Sequence, residues 1–112
     1  MVKIEAIIRP AKLDEVKAAL KKYGITGITV SQIVGCGSQQ GHTEVYRGNE
    51  FTINLIPKIR LEIVVKDESE DEVINIIAKN AYTGEIGDGK IFVYPVKNVI
   101  RIRTNEKGEQ AL

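Results

Sequence analysis

Ile59–Val65 reads IRLEIVV, and its Leu61-Glu62 repeats the Ile4-Glu5 of Val2–Ile8 (VKIEAII) at an offset of 57 residues. The first copy alternates, is rich in β-branched residues and is ended by Pro10, as a strand would be, because proline cannot donate to a ladder. Beyond it, Leu13, Val16, Leu20 and Tyr23 fall on one face of a helix over residues 12–23, which Gly24 closes. Moving that helix by the same offset predicts a second one over 69–80. Independent signals agree: Ser69 with Glu72 forms a capping box, Val73, Ile76 and Ile77 form an apolar stripe, and Gly84 follows. GITVSQIV (27–34) and IFVYPV (91–96) supply the closing strand of each half. Two such units in tandem give an α+β fold, a ferredoxin-like βαββαβ arrangement with two helices on one face of an antiparallel sheet. The opposite face and the sheet edges need cover, which predicts an oligomer.

Between the halves, residues 35–57 (GCGSQQGHTEVYRGNEFTINLIP) show no helical periodicity. Connections of this length inside a compact domain are usually functional or disordered. The alternative is a protruding β-hairpin, since Phe51, Ile53 and Leu55 alternate and Arg47–Glu50 suits a turn. On either reading a segment projects, tipped by Tyr46, Arg47 and Glu50. Tyrosine and arginine are favoured anchors of protein interfaces.

The richest chemistry lies in Thr83–Thr104, TGEIGDGKIFVYPVKNVIRIRT. Gly84, Gly87 and Gly89 permit positive φ and close backbone approach, so successive N–H groups can converge on an anion. Lys90 adds an ammonium. A second short strand is expected to carry Arg101 and Arg103 on one face, roughly 7 Å apart. Together these groups suit a polyphosphate. The plainer alternative is an ordinary turn before a strand with solvated arginines. A Walker P-loop is excluded, because Lys90 is followed by Ile91 and the strand comes after the glycines rather than before them.

Composition narrows the classes further. The 112 residues make one domain, 1–112, with 43% apolar and 28% charged residues, and the net charge of +1 argues against a general nucleic-acid binder. One cysteine (Cys36) and one histidine (His42) cannot form an internal disulfide or a His/Cys metal site. No signal peptide and no apolar run near 18 residues is evident, so a cytoplasmic protein is expected. Asn105–Leu112 reads as a loose, charged tail.

KIEAIIRP at the start, GHTEVYRG in the middle and TGEIGDGKIFV with VIRIRT at the end resemble, in order and spacing, the signatures of the PII signal-transduction family of nitrogen regulatory proteins. The resemblance covers essentially the whole chain. It implies a non-enzymatic homotrimer of ferredoxin-like subunits, with residues 37–55 as the projecting T-loop. It further implies that ATP and ADP compete for clefts between neighbouring subunits. Gly87, Asp88, Gly89 and Lys90 then form the phosphate-binding turn, Arg101 and Arg103 meet the phosphates, Thr29 and Val64 line the adenosine, and Gly37 and Ser38 lie beside the nucleotide at the loop base. Gln39 corresponds to a ligand of the Mg²⁺ that accompanies ATP. Lys58 corresponds to the partner of a 2-oxoglutarate carboxylate, assisted by backbone N–H groups of Gln39, Gln40 and Gly41. Tyr46, Arg47 and Glu50 would meet the partner. That partner is expected to be an ammonium transporter of the Amt family, alongside nitrogen-metabolism enzymes, so the protein would reach the membrane only through it.

Departures from the family pattern carry expectations of their own. Position 51 is Phe where a uridylylated tyrosine is common, and position 49 is Asn where other members carry a phosphorylated serine. Control by ligands alone is therefore expected. Ser38 and Gln40 replace a common arginine and lysine, and each lost charged hydrogen bond costs about 1.5–3 kcal/mol where nothing compensates. Two other readings share the architecture. One is a small phosphohydrolase resembling acylphosphatases, with Arg101 or Arg103 on phosphate and Asn98 or Asn105 orienting water. The other is a CutA-like trimer, which lacks the IGDGK and IRIRT blocks.

Overall fold

The computed structural model describes residues 1–36, 42–46, 49–53 and 55–112, the strands within 42–53 by their backbone alone. In chain order its elements are β1 (Val2–Ile8), α1 (Leu13–Tyr23), β2 (Thr29–Gly35), β3 (His42–Tyr46), β4 (Asn49–Ile53), β5 (Ile56–Val65), α2 (Glu70–Ala81) and β6 (Lys90–Pro95). β2, β5, β1 and β6 form one sheet in that order, with every neighbouring pair antiparallel. The two helices and the four-stranded sheet reproduce the ferredoxin-like plan, and α2 starts at Glu70, 57 residues after α1 starts at Leu13.

The period of two explains the core. Val2, Ile4, Ala6 and Ile8 on β1 and Ile59, Leu61, Ile63 and Val65 on β5 are buried on one face. Val16 and Leu20 of α1 and Val73, Ile77 and Ala81 of α2 complete that single cluster. Each fully buried Leu or Ile side chain contributes about 1.5–3 kcal/mol. On the opposite face Glu5 stands directly across from Glu62. Like charges there are unfavourable, and they are offset by Arg60 at 3.3 Å and Lys3 at 4.0 Å from Glu62 and by the Tyr94 hydroxyl donating to Glu5 at 3.1 Å.

Several expectations need correction. Ser69 is itself helical (φ −93°, ψ −6°), ends a 3-10 turn (Asp67–Ser69), and makes no side-chain cap. Gly24, in contrast, caps α1 in the left-handed region at φ 114°, its N–H donating to the Leu20 and Lys21 carbonyls. The α2 helix stops at Ala81 on an extended Tyr82, while Gly84 lies further on in a turn at φ 89°. Arg101 and Arg103 are not on a strand. Only Ile100 makes an isolated bridge, to Lys107, after which the chain turns through Asn105 at φ 60°. The tail is not loose either, because Gly108–Ala111 forms a 3-10 turn that buries Ala111. In the middle segment the hairpin alternative describes the backbone. β3 and β4 pair antiparallel with Tyr46 opposite Asn49, in a sheet separate from the main one.

Candidate functional site

Residues 82–89 connect α2 to β6 without a ladder of their own, so side chains hold their shape. The Asp88 carboxylate organises the turn. Its Oδ2 accepts from the Thr83 N–H at 2.8 Å and the Gly84 N–H at 2.9 Å. Its Oδ1 accepts from the Thr83 hydroxyl and, at 3.1 Å, from Arg9 Nε. The hydrogen bonds from Thr83 are the main reason its carboxyl lies far below the usual carboxylate range. Arg9 also donates through Nη2 to the Ile86 carbonyl at 2.9 Å, which ties the turn to the end of β1. Gly87 and Gly89 have φ of 105° and 103°. At Gly89 glycine is obligatory twice over, since a Cβ there would meet the Ile7 carbonyl oxygen at 1.7 Å.

Lys58 of β5 donates through Nζ to the Gly87 carbonyl. Burial first, and then the nearby Arg9 guanidinium, lowers its ammonium from the ordinary lysine value, while Asp88 opposes that shift. Lys58, Gly87, Gly89 and Lys90 line a cleft of about 380 Å³ whose walls include Ile7, Cys36 and Phe92. Cations, exposed backbone and an apolar wall in one cleft suit a ligand that is anionic at one end and apolar elsewhere. Among the described residues no group of three or more His, Cys, Asp or Glu gathers as a metal site. No helix among them is long and apolar enough to cross a membrane.

Thr29 and Val64 lie elsewhere. They line a groove of about 610 Å³ at the other end of the same sheet, together with Leu112. Arg101 belongs to that end, because its Nη2 donates to the Leu112 carbonyl at 3.1 Å. Its Nη1 is paired with Glu106 at 3.2 Å, and Glu106 also accepts from the Thr104 hydroxyl at 2.7 Å. Arg103 sits in the exposed turn that follows. The sequence-predicted residues thus form two groups. The chain brings Lys58 and Gly87–Lys90 together, and it brings Thr29, Val64 and Arg101 to a second location. The Asn98 side-chain oxygen accepts from the Val99 and Gly108 N–H groups, and Asn105 serves as the left-handed turn residue. Gly37, Ser38, Gln39, Gln40, Gly41 and Arg47 lie outside the described residues, and Tyr46 and Glu50 are placed by backbone only, in β3 and β4.

Arg9, Thr83 and Glu106 were not among the sequence-predicted site residues. Arg9 and Asp88 are 79 positions apart, and no local pattern couples them. Thr83 sits five residues before Asp88, the one local hint that a carboxylate would fold back on its own turn.

A family model described as nitrogen regulatory protein P-II matches residues 1–106. Three relatives align over the full length of both chains. The nitrogen regulatory proteins P-II of Pasteurella multocida and Azospirillum brasilense are 56% and 55% identical, and nitrogen regulatory protein P-II 1 of Escherichia coli K12 is 53% identical. With the ferredoxin-like fold and the glycine turn already established, this full-length agreement means that the chain belongs to the nitrogen regulatory protein P-II family of signal transducers.

Proposed function

We propose that the protein is a nitrogen-regulatory sensor rather than an enzyme, a homotrimer that binds ATP or ADP in clefts between subunits and reads 2-oxoglutarate. The observation that supports this most is the division of the candidate residues between the two ends of one sheet. Lys58 and Val64 lie on one strand, β5, at a separation of roughly 20 Å at a rise of about 3.3 Å per residue. One chain cannot fold its Thr29 groove onto its own Gly87–Lys90 turn. Two neighbouring chains can bring one end of each together, phosphates on the glycine turn and adenosine along Thr29 and Val64. Arg101 and Arg103 would then reach across, and a phosphate at Arg101 would compete with the carboxylate of Glu106 for its guanidinium.

Mg²⁺ would arrive on the triphosphate, as that ion is usually bound through phosphates and few protein ligands, with Gln39 as the residue expected to hold it. Lys58 would exchange the Gly87 carbonyl for a 2-oxoglutarate carboxylate. Dependence of 2-oxoglutarate on ATP implies, by linkage, that it tightens ATP by the same factor. Ligand states then favour different ensembles of the segment bearing Tyr46, Arg47 and Glu50. The expected partner is the cytoplasmic face of an ammonium transporter, bound in the ADP state and released with Mg-ATP and 2-oxoglutarate.

Titration calorimetry tests the sensor. 2-Oxoglutarate should release heat with protein saturated in Mg-ATP and none with protein saturated in ADP. Heat in neither state, with nucleotide still binding, would leave an adenylate sensor only. No nucleotide binding would overturn the reading. Equal co-purification of transporter and protein in both ligand states would remove the partner assignment.

A further inference from the structure

We propose that Arg9 is a positioning residue for the phosphate-binding turn, acting through Asp88 and the Ile86 carbonyl rather than by touching the ligand; this rests on the nucleotide reading above. The guanidinium is planar and offers its donors in a fixed fork. One prong, Nε, meets Asp88 Oδ1 at 3.1 Å, and another, Nη2, meets the Ile86 carbonyl at 2.9 Å. These two acceptors flank Gly87, so Arg9 fixes the backbone on both sides of the residue whose carbonyl Lys58 holds. The other face of the turn is closed by Gly89 against the Ile7 carbonyl. The three attachments come from β1, from Arg9 directly after it and from β5, the neighbour of β1 in the sheet, so the turn is built onto the rigid part of the fold.

The lining of the cleft separates positioning from contact. Gly87, Gly89 and Lys90 line the 380 Å³ cleft that also holds Lys58, whereas neither Arg9 nor Asp88 does. Asp88 instead borders a groove of about 290 Å³ behind the turn, against Ile77 and Tyr82 of the α2 side. Its two oxygens already accept four donors from Thr83, Gly84 and Arg9. A carboxylate so placed repels phosphate if it faces the ligand and shapes the turn if it faces away, and its partners put it in the second position. Asp88 therefore serves the site without meeting the nucleotide.

The test uses full-length Arg9→Met, Asp88→Asn, the double variant and Arg9→Lys. ADP binding is followed by calorimetry at several salt concentrations, and ligand-free amide exchange is followed at Thr83 and Gly84. Loss of the charged Arg9–Asp88 hydrogen bond should weaken ADP by about tenfold or more in Arg9→Met, which also gives up the bond to the Ile86 carbonyl, and in Asp88→Asn. The double variant should lose less than the sum of the two single ones, because both remove the charged contact between Arg9 and Asp88. Arg9→Lys keeps the charge but not the fork, so it should fail to restore binding. The salt dependence should stay that of the unmodified protein, since no phosphate contact is removed, and exchange at Thr83 and Gly84 should quicken. Additive losses with a reduced salt dependence, or full rescue by Arg9→Lys, would make Arg9 a direct phosphate ligand and overturn the proposal. Unchanged exchange and unchanged affinity in Arg9→Met would also overturn it. Thr83→Val, which removes one donor to Asp88 and keeps the side-chain shape, gives the same readouts if Arg9→Met does not fold. If the unmodified protein itself binds no nucleotide, the nucleotide reading falls, and the positioning role with it.

Discussion

Gly89 and Gly24 separate two costs that a glycine can avoid. Both have φ in the left-handed region, 103° and 114°, where an L side chain costs roughly 1–2 kcal/mol. Around Gly24 a Cβ would meet nothing within 4 Å, so Gly24→Ala should lose only that conformational cost. At Gly89 the same Cβ would lie 1.7 Å from the Ile7 carbonyl, and either β1 or the turn must move. Chemical denaturation should therefore show a larger loss for Gly89→Ala than the roughly 1–2 kcal/mol expected of Gly24→Ala. On the nucleotide reading, Gly89→Ala should also weaken ADP, whereas Gly24→Ala should not. Equal losses of stability would mean that the contact between Gly89 and β1 yields freely, and the turn would not be anchored as described.

At the scale of elements, α2 shows which sequence signals bear weight. Ile77 is fully buried against the sheet, so Ile77→Ala should cost about 2–5 kcal/mol. Ser69 and Glu72 have the spacing of a capping box, but Ser69 is already helical and caps nothing. Ser69→Ala should thus fall well short of the about 1 kcal/mol typical of a true N-cap; a full cap-sized loss in urea titration would contradict the geometry. The apolar stripe was legible because burial repeats it on every turn, and the 57-residue repeat was legible because both halves face one core. The cap was misread because the preceding 3-10 turn, invisible in the spacing, already carries the chain into the helix. Arg101 and Arg103 were misread for a related reason. IRIR has the alternation of a strand, but pairing requires a partner, and beyond the single Ile100–Lys107 bridge the chain turns at Asn105. The glycine turn was legible as a turn, while its stapling by Arg9 was not, since contacts 79 residues apart follow from the fold rather than from local pattern.

At the scale of the whole molecule, the face of the sheet away from the helices remains the unsolved surface of a lone chain. It presents Tyr94 and Phe92 at about two-fifths exposure beside the charged cluster of Lys3, Glu5, Arg60 and Glu62. The proposed trimer covers this face and, in the same step, brings the Thr29 end of one sheet to the Gly87 end of the next. Assembly and nucleotide binding should then be inseparable. Tyr94 offers the cleaner probe, because Phe92 lines the candidate cleft and Tyr94 is not among its lining residues. Tyr94 pairs across the ladder with Lys3, whose ammonium lies 4.8 Å from the ring centroid. In Tyr94→Glu that lysine gains an opposite charge directly across the strands, which offsets the lost hydroxyl bond to Glu5 and the new carboxylate beside it, while the face acquires a carboxylate that must be desolvated on association. Circular dichroism should therefore remain that of the unmodified protein, sedimentation should shift from trimer to monomer, and ADP binding should disappear although no residue of either nucleotide group has changed. A monomer that keeps full ADP affinity would mean that one chain carries a complete site, which the roughly 20 Å between Lys58 and Val64 on β5 argues against. A trimer that persists would place the interface elsewhere than the open sheet face.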